Sequence, residues 1–309
     1  MTSETPDRAA RLAAEPLRAA GPRPGFARGT VASLKDLARQ RELLDMLIRR
    51  ELKARYKDSA LGFLWSLGRP LAMLAIYYLA LGQFLGAARH IPAFAIFIYA
   101  GLTAWGFYSE ALVSGTGSVV ANSGLVKKVY LPREVFPLSS VGSAFFNFMI
   151  QVVILLTATL VAGQFPLGAR WGYFVLALLV LVTYAVALSL ILSAVNVYLR
   201  DVQYLVDIFI MIFFWLSPIV YAWSFVRDAL GSSGLTAGAQ EMLMELYLAN
   251  PVTLAVIGFQ ETFWVAGDAL PSVPDLAARL GVALGVGLLL LWLAQRVFAR
   301  LQSNFAQEL

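Results

Sequence analysis

The chain has 309 residues, of which 59% are hydrophobic and 14% are charged, whereas an ordinary soluble domain has roughly 45–50% apolar and about 25% charged residues. This composition excludes a disordered or collagen-like chain and indicates that a lipid bilayer is the main solvent. The chain has no cysteine, which excludes disulfides and thiol catalysis, and its net charge of +5 is distributed in a way that does not indicate nucleic acid.

The N-terminal part is rich in basic residues. Residues 1–30 hold scattered arginine and proline without an apolar core, so we predict a disordered cytoplasmic tail and no signal peptide. Within 31–60, apolar residues recur at helical spacing opposite arginines and lysines, which predicts a helix over 33–56. Such a helix suits the surface of an anionic membrane leaflet. An ordinary amphipathic helix packed on another subunit is the alternative.

Long uncharged segments follow, and a membrane span needs about 20 residues at roughly 1.5 Å each. They predict an all-α membrane protein in which 61–309 form one transmembrane domain. The six predicted spans lie near 66–87, 91–112, 136–162, 172–198, 204–226 and 279–299. Of the basic residues near these spans, 13 fall on one side and four on the other, so both termini are predicted to be cytoplasmic.

The segment between the last two predicted spans, 227–278, is apolar and aromatic over 241–264. Its uncharged part, 246–260, is too short to cross a bilayer, and Asn250-Pro251 interrupts it. A re-entrant helical hairpin in the outer leaflet would keep its backbone groups paired. We therefore predict such a hairpin between spans five and six.

Several kinds of chemistry are missing from the sequence. None of the five lysines follows a glycine, so there is no P-loop, and the single histidine, His90, cannot form a metal triad. The acidic residues Glu110 and Asp207 lie near predicted cytoplasmic ends of spans, whereas a proton-coupled transporter usually places acids at the midplane. We therefore expect a subunit that is not an enzyme and takes its energy from a partner.

Three runs resemble, in the same order, the signatures of ABC-2 type polysaccharide-export permeases. They are Ile48–Trp65 (IRRELKARYKDSALGFLW), Val119–Pro137 with its LVKKVYLPRE motif, and Leu199–Val202 followed by Trp215–Tyr221 (WLSPIVY). Asn250-Pro251 is similar to the external hairpin of that family. The resemblance covers about residues 40–305.

The resemblance implies a homodimer of six-helix halves in the cytoplasmic (inner) membrane, with two ATPase subunits docked on the cytoplasmic side. ATP and magnesium are expected on those partners, and no cofactor is expected in this chain. The implied cargo is a glycan linked to a polyprenyl diphosphate, such as O-antigen, teichoic acid or galactan. An exporter of drugs or simple lipids and a membrane scaffold without a transported substrate are the alternatives.

By the same resemblance, the loop 116–128 is a short helix that couples the membrane domain to the ATPase. The residues expected there are Ser118, Ala121, Asn122, Ser123, Gly124, Leu125, Lys127 and Lys128. Small residues would allow the close approach that a docking helix needs. A plain cytoplasmic loop is the alternative.

Two further groups are candidate contacts of the cargo. Arginine and lysine bind phosphate oxygens, and the cations placed where the lipid diphosphate or glycan would enter are Arg49, Arg50, Lys53, Arg55, Lys57 and Arg69. The positive-inside bias explains most of these equally well, but Arg69 lies inside a span, where a charge is costly. Aromatic rings suit sugars, and the candidate pore-lining residues are Tyr77, Phe84, Phe214 and Trp215, with core packing as the alternative.

Overall fold

The computed structural model describes Lys35 and residues 39–56, 64–128 and 131–309. Most of these residues are helical, and the described ranges contain no β-strand. The prediction of an all-α protein is therefore confirmed. The predicted tail, residues 1–30, lies outside the described residues.

The helices follow one another with short connections. In chain order they are α1 (Arg41–Tyr56), α2 (Leu64–Tyr77), which continues as a π-helix (Tyr78–Phe84), α3 (Phe94–Ala121), α4 (Ser123–Lys128), α5 (Val135–Val161), α6 (Arg170–Tyr198), α7 (Val202–Leu216), α8 (Trp223–Gly231), α9 (Ala237–Leu248), α10 (Pro251–Phe263), α11 (Leu276–Leu301) and α12 (Phe305–Glu308). Short 3-10 turns cover Ala87–Arg89, Val265–Gly267 and Gln302–Asn304.

Four helical segments of the described chain are long and apolar enough to cross a membrane. They are Phe94–Ala121, Val135–Val161, Arg170–Tyr198 and Leu276–Glu308. The bent pair formed by α9 and α10 makes a fifth if it is counted as one span, and Pro70–Phe84 and Val202–Leu216 are shorter apolar helices. The chain is thus a multi-pass membrane protein with four or five candidate spans.

Two predicted span boundaries are wrong. The helix α3 ends at Ala121, not near 112, so Glu110 lies well inside it, roughly 24 Å from its start at about 1.5 Å per residue. There its carboxylate accepts a 2.7 Å hydrogen bond from the Asn147 side chain of α5. The helix α7 ends at Leu216, well before the predicted end at 226.

The residues after α7 form a buried irregular segment, 217–222. Backbone groups in such a segment need partners when water is excluded. The Gln260 side-chain amide donates a 2.7 Å hydrogen bond to the Pro218 carbonyl. A Cβ on Gly101 would lie 3.0 Å from the Ile219 carbonyl oxygen, so this glycine permits the close approach of α3. The sequence predicts a kink at Pro218, whereas the helix in fact ends before it.

The helix α6 is central, since it packs against α3, α10 and α11. Small and polar residues join these helices. The Ser189 hydroxyl donates to the Ala111 carbonyl at 3.0 Å, and the Asn196 amide donates to the Thr116 carbonyl at 3.1 Å. Gly258 of α10 lies directly against α6. Close helix approach and interhelical hydrogen bonds of this kind hold membrane helices together.

The helix bundle has two ends with different structures. At the α4 end, α4 contacts the C-terminal residues of α3 and the helix α12, and residues of α1, α3, α5 and α7 line a common cavity. At the opposite end, Ile219 packs on Gly101, and the Thr262 hydroxyl donates to the Arg170 carbonyl at 3.2 Å. The helix α10 and the segment 217–222 therefore both lie at this end, which we call the hairpin end after the bent pair of α9 and α10.

Candidate functional site

A cavity of about 700 Å³ opens at the α4 end, between α1, α3, α5 and α7. Its charged lining residues are Arg50 and Glu51 of α1 and Asp207 of α7. Uncharged polar groups come from Ser114, Asn122, Ser140 and Gln203. The cavity thus combines one cation and two carboxylates with amides and hydroxyls, which can form hydrogen bonds with a polar ligand.

The helix α1 is fixed onto α5 of the same chain. Its Glu51 carboxylate accepts hydrogen bonds from the Ser139 hydroxyl at 2.9 Å and the Ser140 hydroxyl at 3.3 Å. One turn away, the end of the Ile48 side chain packs onto Gly142, where a Cβ would lie 2.6 Å from it. Part of the apolar stripe of α1 therefore packs within the chain and does not face lipid.

Asn122 joins α1 to the short helix α4. The Arg50 guanidinium donates a 2.5 Å hydrogen bond to the Asn122 side-chain oxygen, and the Asn122 amide donates to the Ser118 carbonyl at 2.8 Å. Asn122 also lies at the C-terminus of α3, immediately before α4 begins. Asn122 thus connects α4 to α1 and to the lining of the cavity.

The predicted coupling residues fall into exposed and buried groups. Ala121, Gly124, Lys127 and Lys128 are exposed, and Asn122, Ser123 and Leu125 are partly buried. Ser118 is buried and donates its hydroxyl to the Gly115 carbonyl at 2.6 Å, so it cannot provide close approach to a partner. Val126, which the prediction omits, is the buried residue of α4.

The predicted cargo-binding cations whose side chains the structure describes, Arg49, Arg50 and Lys53, do not converge on one point. Arg50 lines the cavity, whereas Arg49 forms an exposed ion pair with Asp45 at 2.7 Å. Lys53 is exposed on α1. Arg55 and Arg69 lie on α1 and α2, and Lys57 lies outside the described residues. Of the six, Arg50 is therefore the one that the described structure places in the cavity.

Three of the four candidate pore-lining residues lie together. The rings of Tyr77 and Phe214 stack with centroids 5.8 Å apart, and Trp215 meets Phe214 edge-on at 5.4 Å. Phe84 is 83% exposed and lies outside this cluster. Trp105 joins it through Phe214 at 5.9 Å. The sequence alone does not reveal Trp105 as a member of this cluster, because its contact with another helix leaves no local pattern.

At the hairpin end, Asn250 and Pro251 lie where α9 and α10 meet at an angle of 78°. The Asn250 side chain accepts a 3.0 Å hydrogen bond from the Val252 amide, and Pro251 occupies the first turn of α10. Asparagine and proline are favoured at these two positions of a helix N-terminus. The Asn250-Pro251 pair therefore starts α10 and makes the bend.

The sequence of the chain is matched by known proteins. Residues 42–229 match the ABC-2 type transporter family. The chain belongs to this family. It is also 30% identical, over 89% of its length and 98% of the relative's, to the O-antigen export system permease protein RfbA of Myxococcus xanthus.

Two further relatives of this ABC-2 family member are more partial matches. The O-antigen export system permease protein RfbA of Klebsiella pneumoniae is 33% identical over 59% of this chain and 69% of that protein. The capsule polysaccharide export inner-membrane protein CtrC of Neisseria meningitidis is 31% identical over 52% of this chain and 61% of that protein. The resemblance to polysaccharide-export permeases seen in the sequence is therefore confirmed.

Proposed function

We propose that this chain is the permease subunit of an ABC transporter that exports a lipid-linked polysaccharide of the O-antigen, teichoic acid or galactan type across the cytoplasmic membrane. The observation that carries the proposal is the match to an O-antigen export permease over 98% of that protein's length. Almost the whole of the relative has a counterpart in this chain. The function of that protein is therefore the basis for the function proposed here.

The energy comes from a separate ATPase subunit that binds ATP and magnesium. None of the five lysines of this chain follows a glycine, so a P-loop must be supplied by a partner. Two permease copies form the transporter with two ATPases, because a two-fold axis provides a path wider than one small bundle encloses. The glycan reaches this path on a polyprenyl-diphosphate carrier.

The chain crosses the membrane six times, with both termini in the cytoplasm. The helix α2 with its π-helical continuation makes the first crossing, and α7 with the segment 217–222 makes the fifth. The contacts of Ile219 with Gly101 and of Thr262 with Arg170 support a hairpin of α9 and α10 that enters and leaves at the hairpin end. The buried irregular backbone is tolerated because protein surrounds it.

The helix α4 couples the ATPase to the membrane domain. Its exposed residues Gly124, Lys127 and Lys128 form the docking face, and there is open space around Gly124. Its rear face is held by the buried Val126 and, through Asn122, by Arg50. Motion of α4 during ATP turnover is therefore passed to α1 and to the wall of the cavity.

The cavity receives the diphosphate and the first sugars of the cargo. Arg50 binds phosphate oxygens there, since a guanidinium can do so bidentately, while Asp207 accepts hydrogen bonds from sugar hydroxyls. Phosphate binding competes with the hydrogen bond from Arg50 to Asn122, which links loading of the cargo to the position of α4. Arg69 contributes a further positive charge inside the first crossing, and the cluster of Tyr77, Phe214 and Trp215 guides sugar rings along the path.

The proposal is tested by purifying the tagged chain in mild detergent and identifying bound proteins and lipids by mass spectrometry. The expected result is a stoichiometric ATPase subunit together with a polyprenyl-diphosphate glycan. An ATPase accompanied by other lipids or small molecules, and no glycan, would favour an exporter of drugs or simple lipids. If the intact dimer carries no ATPase, the proposed power source is wrong and a scaffold role gains support.

The chain offers a matched pair of variants for the docking face. Residues 122–125 read Asn-Ser-Gly-Leu, and 232–235 at the hairpin end read Ser-Ser-Gly-Leu. We expect Ser123→Asp with Gly124→Asp to abolish ATPase co-purification, and Ser232→Asp with Ser233→Asp to leave it unchanged. Equal ATPase binding and export in both variants would remove α4 as the coupling helix.

A further inference from the structure

The last eight residues of the chain fold back against the α4 end. The helix α11 ends at Leu301, and the 3-10 turn Gln302–Asn304 and the helix α12 follow. The helix α12 contacts α4 and α6. Its first residue, Phe305, is 0% exposed, whereas Ser303, Asn304, Gln307 and Glu308 are exposed. A single buried aromatic residue thus anchors an otherwise polar segment.

Three different elements enclose the Phe305 ring. The Phe298 ring of α11 meets it edge-on with centroids 5.5 Å apart, and the Tyr198 ring of α6 lies 6.2 Å away. The guanidinium carbon of Arg133 lies 5.7 Å from the ring centroid on another side. The Tyr198 hydroxyl also donates a 2.7 Å hydrogen bond to the Leu301 carbonyl, which fixes the point where the segment leaves α11.

The same apolar cluster supports α4. Val126 of α4 and Phe305 are both buried in it, and Leu125 and Leu309 are partly buried against it. The helix α4 has six residues, whereas isolated helices shorter than about 12–15 residues are marginal in water. Its position therefore depends on what lies beneath it, and part of that support is the C-terminal segment.

We propose that the segment 302–309 is a buttress that holds α4 in its docking position, with Phe305 as the positioning residue. The mechanical part of this proposal, that the segment holds α4 in place, concerns this chain alone. The consequence for transport rests on the proposed function: without the buttress, the ATPase still hydrolyses ATP, but its motion is absorbed by a loosened α4 and export per ATP falls.

The mechanical part is measured with a spin label on α4. The chain has no cysteine, so Lys127→Cys, at an exposed position, provides a unique attachment site. Label mobility is recorded by electron paramagnetic resonance on the full chain in nanodiscs, without ATPase. We expect a several-fold increase in mobility in Phe305→Ala, a smaller increase in Phe305→Leu, and no change in Gln307→Ala, which alters an exposed neighbour of Phe305.

A milder variant distinguishes the loss of support for α4 from general unfolding of the protein. Tyr198→Phe keeps the aromatic ring and removes only the hydrogen bond to the Leu301 carbonyl. We expect it to raise label mobility modestly while the elution profile and thermal transition of the membrane domain stay unchanged. If Phe305→Ala fails to fold, Phe305→Leu and Tyr198→Phe decide the result, and unchanged mobility in both overturns the buttress.

The second measurement is export per ATP hydrolysed in the reconstituted complex. A several-fold loss in Phe305→Ala with retained ATPase binding supports the proposal, and partial recovery in Phe305→Leu strengthens it. Normal export per ATP despite a mobile α4 overturns the coupling consequence. If the native chain binds no ATPase at all, the proposed function fails, while the label measurement still decides whether the segment holds α4.

Discussion

The two ends of the bundle differ in how their positively charged side chains are paired. At the hairpin end, Arg170 pairs with Asp268, Arg227 with Asp228 and Arg279 with Glu245. At the α4 end, by contrast, three exposed lysines have no ion-pair partner among the described residues. They are Lys53, Lys127 and Lys128. Two of the three pairs at the hairpin end, those of Arg170 and Arg279, join separate segments of the chain, whereas the three lysines at the α4 end are available to a partner or to phosphate.

The backbone shows the same contrast. At the hairpin end, the buried irregular segment 217–222 is held by a glycine contact and by a side-chain hydrogen bond from α10. At the α4 end, α4 is a short helix held by one buried residue, a hydrogen bond to Asn122 and the C-terminal segment. From this difference we expect the α4 end to move more easily than the hairpin end. Substitutions at each end test this interpretation.

The largest expected effect is at the junction between α3 and the irregular segment. In Gly101→Val, the new Cβ would lie 3.0 Å from the Ile219 carbonyl oxygen and 3.1 Å from its Cα, and backbone atoms cannot turn aside as a side chain can. We expect a loss of about 3 kcal/mol in the free energy of unfolding, near the upper end of ordinary overpacking costs. Unfolding of the purified protein by denaturing detergent measures it.

The matched control for this variant is Gly281→Val. Gly281 lies on an exposed face of α11, and a Cβ added there would meet no atom within 4 Å. Its unfolding midpoint should stay close to that of the native chain. Equal midpoints for the two variants would show that the close approach at Gly101 does not hold the hairpin end together.

A smaller loss is expected when the donor to the irregular segment is removed. In Gln260→Leu, the Pro218 carbonyl loses its 2.7 Å hydrogen bond in a buried site, which costs about 1–3 kcal/mol when an acceptor is left unpaired. Gln240→Leu is the control, because Gln240 also donates to a carbonyl, that of Leu235, but in an exposed region. Hydrogen exchange of 217–222 should rise in Gln260→Leu alone.

The sequence was sufficient to predict the helical class, the family and the positions of three long spans, α5, α6 and α11. Uncharged runs of sufficient length indicate membrane spans directly, and signature runs such as Val119–Pro137 indicate the family. The sequence also predicted that Asn250-Pro251 interrupts a helix, because capping preferences are local. These features depend on neighbours in the chain, which a single sequence displays.

The contacts that assemble the site depend on residues far apart in the chain. Nothing near Arg50 indicates Asn122 as its partner, and nothing near Phe305 indicates Val126 or Tyr198. Ser118 was expected on the surface because it is small and polar, yet a serine can bond its own helix backbone and be buried there. Glu110 was misplaced because α3 continues through the glycine- and serine-rich run 114–118, which local preference assigns to a loop.

The smallest expected effect comes from comparing one cation from each end, Arg279 and Lys127. Arg279 forms two 2.7 Å hydrogen bonds to the Glu245 carboxylate, which join α11 to α9. Because ion pairs near the surface stabilise a fold only weakly, we expect Arg279→Gln to lower the thermal unfolding midpoint by about 2 °C. We expect Lys127→Gln to lower it by less than about 1 °C. The difference between the two variants should shrink at high salt, because exposed charges are screened. A Lys127→Gln loss as large as that of Arg279→Gln would mean that Lys127 serves the fold, and the contrast between the two ends would fail.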